Sequence, residues 1–248
     1  MTKTIGARLL QPINTIFAGR HRIDDVAYGS EPYMTFDEYP VKDLSAPLVI
    51  FWHGGSWKTG DKSMYRFVGS KLQSMGLHAF IVDYPKYPRR VYPEFIEDAK
   101  KCVEKIQDKY PGRQIVVMGH SAGANTAMLI AMDDKLSVDK AVSISGVCTL
   151  NPKYWRPVFG AAIDNKSYDP RKRINRVRTK TSYLLVHGLI DYIVPATDSI
   201  SLNRMLEESG SPARLILLKF ADHILILPTI FVGPRFFTRS KIRKFIFS

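Results

Sequence analysis

Six short apolar runs, at residues 47–52, 77–82, 114–118, 141–145, 182–186 and 213–218, recur along the chain and leave it few architectures. Each is nearly continuous in hydrophobicity rather than alternating. Such runs need cover on both faces, which the central strands of a parallel sheet receive from helices above and below. The intervening segments supply those helices. Over residues 93–109, Phe95, Ala99, Cys102, Val103 and Ile106 recur every three or four positions, opposite Glu97, Lys100, Lys101, Glu104 and Asp108. Residues 122–131 are dense in Ala, Met and Leu, and residues 197–208 follow Pro195 with Ile200, Leu202, Met205 and Leu206, so both are expected to be helical. Strand and helix in alternation predict an α/β fold with a mostly parallel sheet. A length of 248 residues, 45% of them hydrophobic, suits a single domain over 1–248.

Residues 151–180 break this rhythm, with Tyr154, Trp155, Pro157, Phe159 and Pro170 among basic residues and no strand pattern. A short, irregular, lid-like insertion is expected there, at the top of the sheet, where long connections often shape a binding site. Residues 236–248 can form one basic helix with Phe237, Ile242, Phe245 and Ile246 as its apolar residues, expected to dock on the sheet.

The chemistry concentrates where runs end. Residues 114–118 lead into Gly119-His120-Ser121-Ala122-Gly123 and then into the Ala-rich helix. G-x-S-x-G between strand and helix is a nucleophile elbow, whose flanking glycines avoid collisions in a very tight turn and whose helix N-terminus favours negative charge. The run at 47–52 leads into His53-Gly54-Gly55-Ser56-Trp57. Backbone N–H groups of Gly55 and Ser56, joined by Ala122, are the expected donors to an oxyanion, a role worth about 3 kcal/mol or more per donor. A serine nucleophile needs a base, and the base a carboxylate to orient it. After 182–186 comes Asp191, and after 213–218 comes His223, in the chain order serine, acid, histidine. Asp198 and Asp222 are weaker candidates for the acid, one inside a helix and the other adjacent to the histidine. Trp57, Tyr154 and Trp155 are candidate substrate contacts. His53 and His187 are expected to brace their loops, His120 fills the variable elbow position, and no cluster has metal-ligand spacing.

Together these residues resemble the α/β-hydrolase superfamily, and within it the carboxylesterases and kynurenine formamidases whose HGG-type oxyanion motif is similar to that of hormone-sensitive-lipase-like esterases. His53-Gly54-Gly55-Ser56-Trp57 looks like the HGGxW box of the formamidases, and His187-Gly188-Leu189-Ile190-Asp191 with Val194-Pro195 looks like the acid loop. Residues 82–88 and 92–98 are similar to the strand and helix after the box, and the resemblance spans roughly residues 28–227. Two departures stand out: Ser56 replaces the third glycine of the HGGG form, and Ala221-Asp222-His223 lacks the usual nearby glycine. The resemblance implies an α/β-hydrolase fold and hydrolysis of a small-molecule carboxylic ester or formamide without a cofactor. Ester and amide are not distinguished.

A formal charge of +13, from 36 Lys and Arg against 23 Asp and Glu, attracts anions in general. No specific nucleic-acid partner is expected. A rival possibility is a non-catalytic module that uses Arg171, Lys172, Arg173, Arg176, Arg178 and Lys180, with Arg239, Lys241, Arg243 and Lys244, to contact an anionic membrane surface or nucleic acid. The first 22 residues hold Lys3, Arg8, Arg20 and Arg22 without an acid. Polar interruptions there disfavour a secretion signal, while a transit peptide or membrane-surface helix stays open beside the plainer expectation of a helix packed on the domain. Cys102 and Cys148 fit two free thiols in a reducing compartment. A cytoplasmic enzyme is expected, and oligomeric state has no sequence signal.

Overall fold

The computed structural model describes residues 5–17, 19, 21–176, 181–233 and 236–248. Two strands absent from the apolar runs come first, β1 (Ile23–Ala27) and β2 (Thr35–Tyr39). The runs follow as β3 (Leu48–Trp52), β4 (His78–Val82), β5 (Ile115–His120), β6 (Lys140–Ile144), β7 (Ser182–Gly188) and β8 (Ala213–Leu218). Among the described residues they form one eight-stranded sheet, ordered β1-β2-β4-β3-β5-β6-β7-β8. β3 to β8 pair in parallel, while β2 pairs antiparallel with both β1 and β4.

β2 escapes a hydropathy reading because Asp37 and Glu38 sit inside it, both buried. Burial of a carboxylate requires partners. Asp37 receives Lys62, and Glu38 receives His78 at 2.9 Å, Lys109 at 2.8 Å and Tyr110. β8 also departs from expectation, since it is the sheet's edge and only half-buried, whereas its composition resembles the fully covered strands.

Helices cover both faces: α1 (Ile5–Phe17), α2 (Arg66–Ser74), α3 (Glu94–Lys109), α4 (Ala122–Ala131), α5 (Pro152–Phe159), α6 (Ala162–Asn165), α7 (Ala196–Glu208), α8 (Ile226–Phe231) and α9 (Phe236–Phe247). Alternate residues of one strand serve the two cores. Leu48, Ile50 and Trp52 pack with α3, α4, α7 and the 151–176 segment, whereas Val49 and Phe51 pack with α2, α8 and α9. α4 is buried along its whole length, which explains its lack of a polar face. α1 is tied down by Asn14, whose side chain donates to Met64 O at 2.7 Å and accepts from Phe67 N at 3.0 Å. At the other end Ile242 and Ile246 of α9 are fully buried, and Lys140 Nζ donates to the carbonyls of Phe245 and Ile246 at 2.6 and 3.1 Å, capping the helix C-terminus.

Residues 151–176 are not irregular, as their composition predicts, but carry α5, α6 and a 3-10 turn at Pro170–Arg176. Asn151 caps α5 through Lys153 N, and Pro152 follows at the first turn, where a missing N–H costs nothing. Val158, Phe159, Ile163 and Tyr168 hold the segment onto the core, and Asn125 of α4 donates to the carbonyls of Val147 and Tyr168, both at 2.9 Å.

Sheet order locates the place where a site is expected. The chain leaves β3 for β4 on one side and returns to β5 on the other, so β3 and β5 flank the topological switch point. Crevices at the carboxyl ends of such strands are the ligand-binding places of open α/β sheets.

Candidate active site

From the carboxyl end of β5 the chain turns through Ser121, at φ 56 and ψ −121, directly into α4. A side chain at positive φ is strained, at a cost of about 1–3 kcal/mol, and such strain persists only where the surroundings enforce it. Here the enforcement is steric. A Cβ on Gly119 would lie 2.2 Å from Gly123 O, and one on Gly123 would lie 2.2 Å from Trp52 O. Both glycines of the elbow are therefore required by backbone approach.

Ser121 Oγ lies 2.8 Å from His223 Nε2, and His223 Nδ1 lies 2.6 Å from Asp191 Oδ2. A carboxylate only accepts, so Nδ1 carries the proton and Nε2 is bare toward the serine hydroxyl. The sequence separations of 102 and 32 residues close because β5, β6, β7 and β8 are successive neighbours whose carboxyl-end loops converge. Asp191 is fixed from its other side by the N–H groups of Ile193 and Val194 at 3.0 and 2.8 Å, and His187 Nε2 stands 3.3 Å from Oδ2. Burial pushes the Asp191 carboxyl up, but the hydrogen bonds with His187 and His223 outweigh it and hold the group well below the ordinary carboxylate range. At neutral pH it is therefore an anion.

The two other acid candidates do different work. Asp198 on α7 accepts from Cys148 N at 2.8 Å, Thr149 N at 2.9 Å and the Thr149 hydroxyl at 2.7 Å, and so pins the loop after β6. Asp222 accepts from Ile224 N and Leu225 N, both at 2.8 Å, and shapes the turn that presents His223.

The loop after β3 runs beside the elbow, with Gly55 at φ 131, Ser56 at φ 58 and Trp57 at φ 53. Among the described residues nothing accepts from the N–H groups of Ser56 and Ala122, and both residues line the cavity that contains Ser121. His53 holds this loop from behind, donating from Nδ1 to Gly54 O at 2.6 Å and placing Nε2 3.1 Å from Asp83 Oδ1. Burial raises the Asp83 carboxyl, and the bonds with His53 and Lys86 overcome this and lower it to about 2. Tyr65 reaches the same loop, its hydroxyl accepting from Gly54 N at 3.1 Å. Tyr65 lies outside any motif and Asp83 within the 82–88 segment that resembles the family, but their support of this loop is visible only once β4 and the turn at Lys62–Tyr65 are in place.

His120, the variable elbow residue, is buried. Its Nε2 donates to the carbonyl of His223 at 2.8 Å. Burial, aided by the neighbouring His223, drives it down to about 3, so it is a neutral strut beneath the base.

The cavity is about 90 Å³, far below the roughly 300–1,000 Å³ of pockets for drug-sized ligands. Ser56, Ser121 and Ala122 form its polar end, and Trp57, Trp155, Val147, Leu150 and Ile193 are among its walls. Trp57 meets Trp155 edge-on at 5.5 Å and Phe159 at 4.9 Å, which sets the width. Of the expected substrate contacts, Trp57 and Trp155 line the cavity, whereas Tyr154 does not and is 61% exposed on α5. Val147, Thr149 and Leu150 after β6 carried no sequence signal. No group of three or more His, Cys, Asp or Glu side chains among the described residues could hold a metal.

Residues 49–214 match the family model of the alpha/beta hydrolase fold. The chain belongs to this family. Within it, the chain is 24% identical over 244 residues to a probable isoprenylcysteine alpha-carbonyl methylesterase of Oryza sativa subsp. japonica, covering 84% of this chain and 59% of that protein. It is 25% identical over 162 residues to a kynurenine formamidase of Danio rerio, covering 64% of this chain and 54% of the relative. The chain thus spans somewhat more than half the length of the curated relatives it matches. Among solved structures, a truncated carbohydrate esterase from gut microbiota superposes with a TM-score of 0.78 at 18% identity, covering 93% of this chain and 96% of that one. Esterase 2 of Thermogutta terrifontis with propionate bound superposes at 0.72 and 18% identity, covering 90% and 91%.

The basic groups expected to form an anion surface are divided. Arg171 is engaged with Asp169 at 2.7 Å and Ser201 at 2.9 Å, and Arg173 donates to the Tyr92 hydroxyl at 2.8 Å. Arg239 and Arg243 donate to the carbonyls of Phe231 and Met75. Lys3, Arg20, Arg178 and Lys180 lie outside the described residues. Cys102 and Cys148 are buried free thiols, and no helix among the described residues is long and apolar enough to cross a membrane.

Proposed function

We propose that this chain is a serine hydrolase that cleaves carboxylic esters of small acyl groups through an acyl-enzyme. The observation that carries this is the continuous chain Ser121 Oγ, His223, Asp191, at 2.8 and 2.6 Å, beside a cavity lined by Ser56 and Ala122, whose N–H groups have no acceptor among the described residues. Ser121 Oγ attacks the carbonyl carbon while His223 Nε2 takes the hydroxyl proton, and Asp191 steadies the imidazolium so formed. The carbonyl oxygen becomes an anion held by the N–H groups of Gly55, Ser56 and Ala122. As the tetrahedral species collapses, the C–O bond to the leaving alcohol breaks and His223 returns the proton to it. Water, deprotonated by His223, then attacks the ester on Ser121; the acid leaves and the serine recovers its proton.

Cavity size supports a small group on one side of the carbonyl. A second reading, hydrolysis of an aryl formamide, is favoured by the same fact, because formyl is the smallest acyl group and Trp57 and Trp155 offer aromatic walls. Relatives described as a methylesterase and a kynurenine formamidase make both chemistries reasonable.

The test is hydrolysis of aryl esters from acetate to octanoate, and of N-formylkynurenine, by wild type and Ser121→Ala. Acetate or propionate should be preferred, with kcat/KM falling on the order of tenfold or more for the long acyl chains. Ser121→Ala should lose about 10⁴-fold or more in kcat. Preference for the formamide would make the chain an arylformamidase, and undiminished turnover by Ser121→Ala would remove the mechanism.

A further inference from the structure

The loops that bring Asp191 and His223 to the serine are unusual in what they leave outside. Tyr192 is 90% exposed, Ile193 63% and Phe220 70%, with Leu189, Ile190 and Leu225 also exposed. Single exposed apolar residues are ordinary, but a group of them on two adjoining loops is informative. The loops adjoin because β7 and β8 are paired and Leu189 N continues the ladder onto Leu218 O at 2.9 Å. Ile193 also walls the Ser121 cavity, so this apolar group reaches the cavity at one side. Nothing in the fold needs these side chains outside: the loops are shaped by Asp191 and Asp222 through backbone N–H groups, which polar residues at 192 and 220 would leave intact.

On these two loops the exposed charge is positive. Those two acids are turned to their own backbone and neither is exposed, whereas Lys219 is exposed beside Phe220, 5.4 Å from its ring centroid. Across the cavity Lys58 stands 4.9 Å from the ring of Trp155, and Lys153 stands 5.6 Å from the ring of exposed Tyr154. Aromatic rings with ammonium groups beside them are the arrangement that sits at a bilayer interface, the ring among headgroups and the cation at lipid phosphate. A net charge of +13 adds long-range attraction to the same surface.

We propose that the carboxyl edge of the sheet is a docking face for an anionic phospholipid bilayer, with Tyr192 and Phe220 inserted and Lys58, Lys153 and Lys219 on the headgroups. The cavity mouth then opens onto the membrane surface, where apolar substrates concentrate. Docking is independent of catalysis and is measured without turnover.

The experiment is flotation of the full chain with phosphatidylcholine vesicles and with vesicles containing about 30% phosphatidylserine, at about 50 and 500 mM salt. Tyr192→Asp and Phe220→Asp are compared with wild type, each checked for an unchanged circular dichroism spectrum and melting point. Wild type should float with the anionic vesicles at low salt, and each substitution should reduce binding about fivefold or more. Hydrolysis of a water-soluble aryl acetate should remain within about twofold of wild type in both variants, as expected for surface substitutions. Equal binding to neutral vesicles, no binding to anionic vesicles at low salt, or binding that survives both substitutions would overturn the proposal. A variant that keeps vesicle binding but loses turnover of long-chain soluble esters would do so too, because the rim would then be a substrate contact.

Discussion

His120 illustrates how a residue with no chemical step of its own can be set by its surroundings. Buried under the base, it donates to the His223 carbonyl and is held neutral down to about pH 3. The sign of its effect follows. An unfolded chain protonates this histidine near pH 6.5 while the folded chain does not, so between those limits the unfolded state binds more protons. Its contribution to stability is therefore full above about pH 6.5 and is lost as pH falls toward 3. Urea denaturation across this range should give a shallower loss of stability for His120→Gln than for wild type; identical pH dependence would mean the imidazole is protonated in the fold. Such roles are poorly legible in sequence. Ser121, Asp191 and His223 could be singled out as candidates because each lies in a local pattern at a strand end and their chain order is restrictive, and the structure brings the three together. Tyr65 and Asp83 act on the oxyanion loop across tertiary contacts, from 11 and 30 residues away, and although Asp83 falls in the 82–88 segment, nothing local assigns either residue this contact.

Among elements, hydropathy is a good guide where burial is apolar and a poor one where buried groups are paired ions. The six apolar runs announced their strands, half-buried β8 among them, and the elbow helix began where the motif placed it. β2 did not, since its Asp37 and Glu38 trade hydration for Lys62, His78, Lys109 and Tyr110. The 151–176 segment misled in the opposite direction: proline and aromatic residues suggested irregular chain, yet Pro152 opens α5, and Trp155, Phe159 and Tyr168 pack against the core. The elbow's glycines are the sharpest element-scale test. Gly123→Ala would put a methyl group 2.2 Å from Trp52 O, between α4 and β3, where neither backbone can give way. It should destabilise by about 3 kcal/mol or more, seen as a lower urea midpoint, or prevent folding. A stability within about 0.5 kcal/mol of wild type would show that the elbow is not as tight as described.

For the molecule as a whole, sheet order decides where chemistry can occur. The reversal between β3 and β5 opens a crevice, and the oxyanion loop and the elbow leave the sheet on its two sides. β7 and β8 then add the acid and base loops to the same edge, with the 151–176 segment closing one wall through Trp155. Architecture was readable from the alternation of runs and helices, and the family resemblance from the motifs at 53–57, 119–123 and 187–195. Cavity dimensions were not, because Val147, Thr149 and Leu150 are placed by Asn125, Asp198 and Tyr168, which lie far away in sequence. Domain organisation as one unit over 1–248, with a lid at 151–180, remains our proposal for this chain. The most direct test of the central claim is to quench wild type and Ser121→Ala in acid during turnover of an aryl acetate, then fragment the protein and locate any acetyl group by mass spectrometry. An acetyl group on Ser121 in wild type, absent from Ser121→Ala, is the expected result; acetylation elsewhere with undiminished turnover in Ser121→Ala would contradict an acyl-enzyme at the elbow.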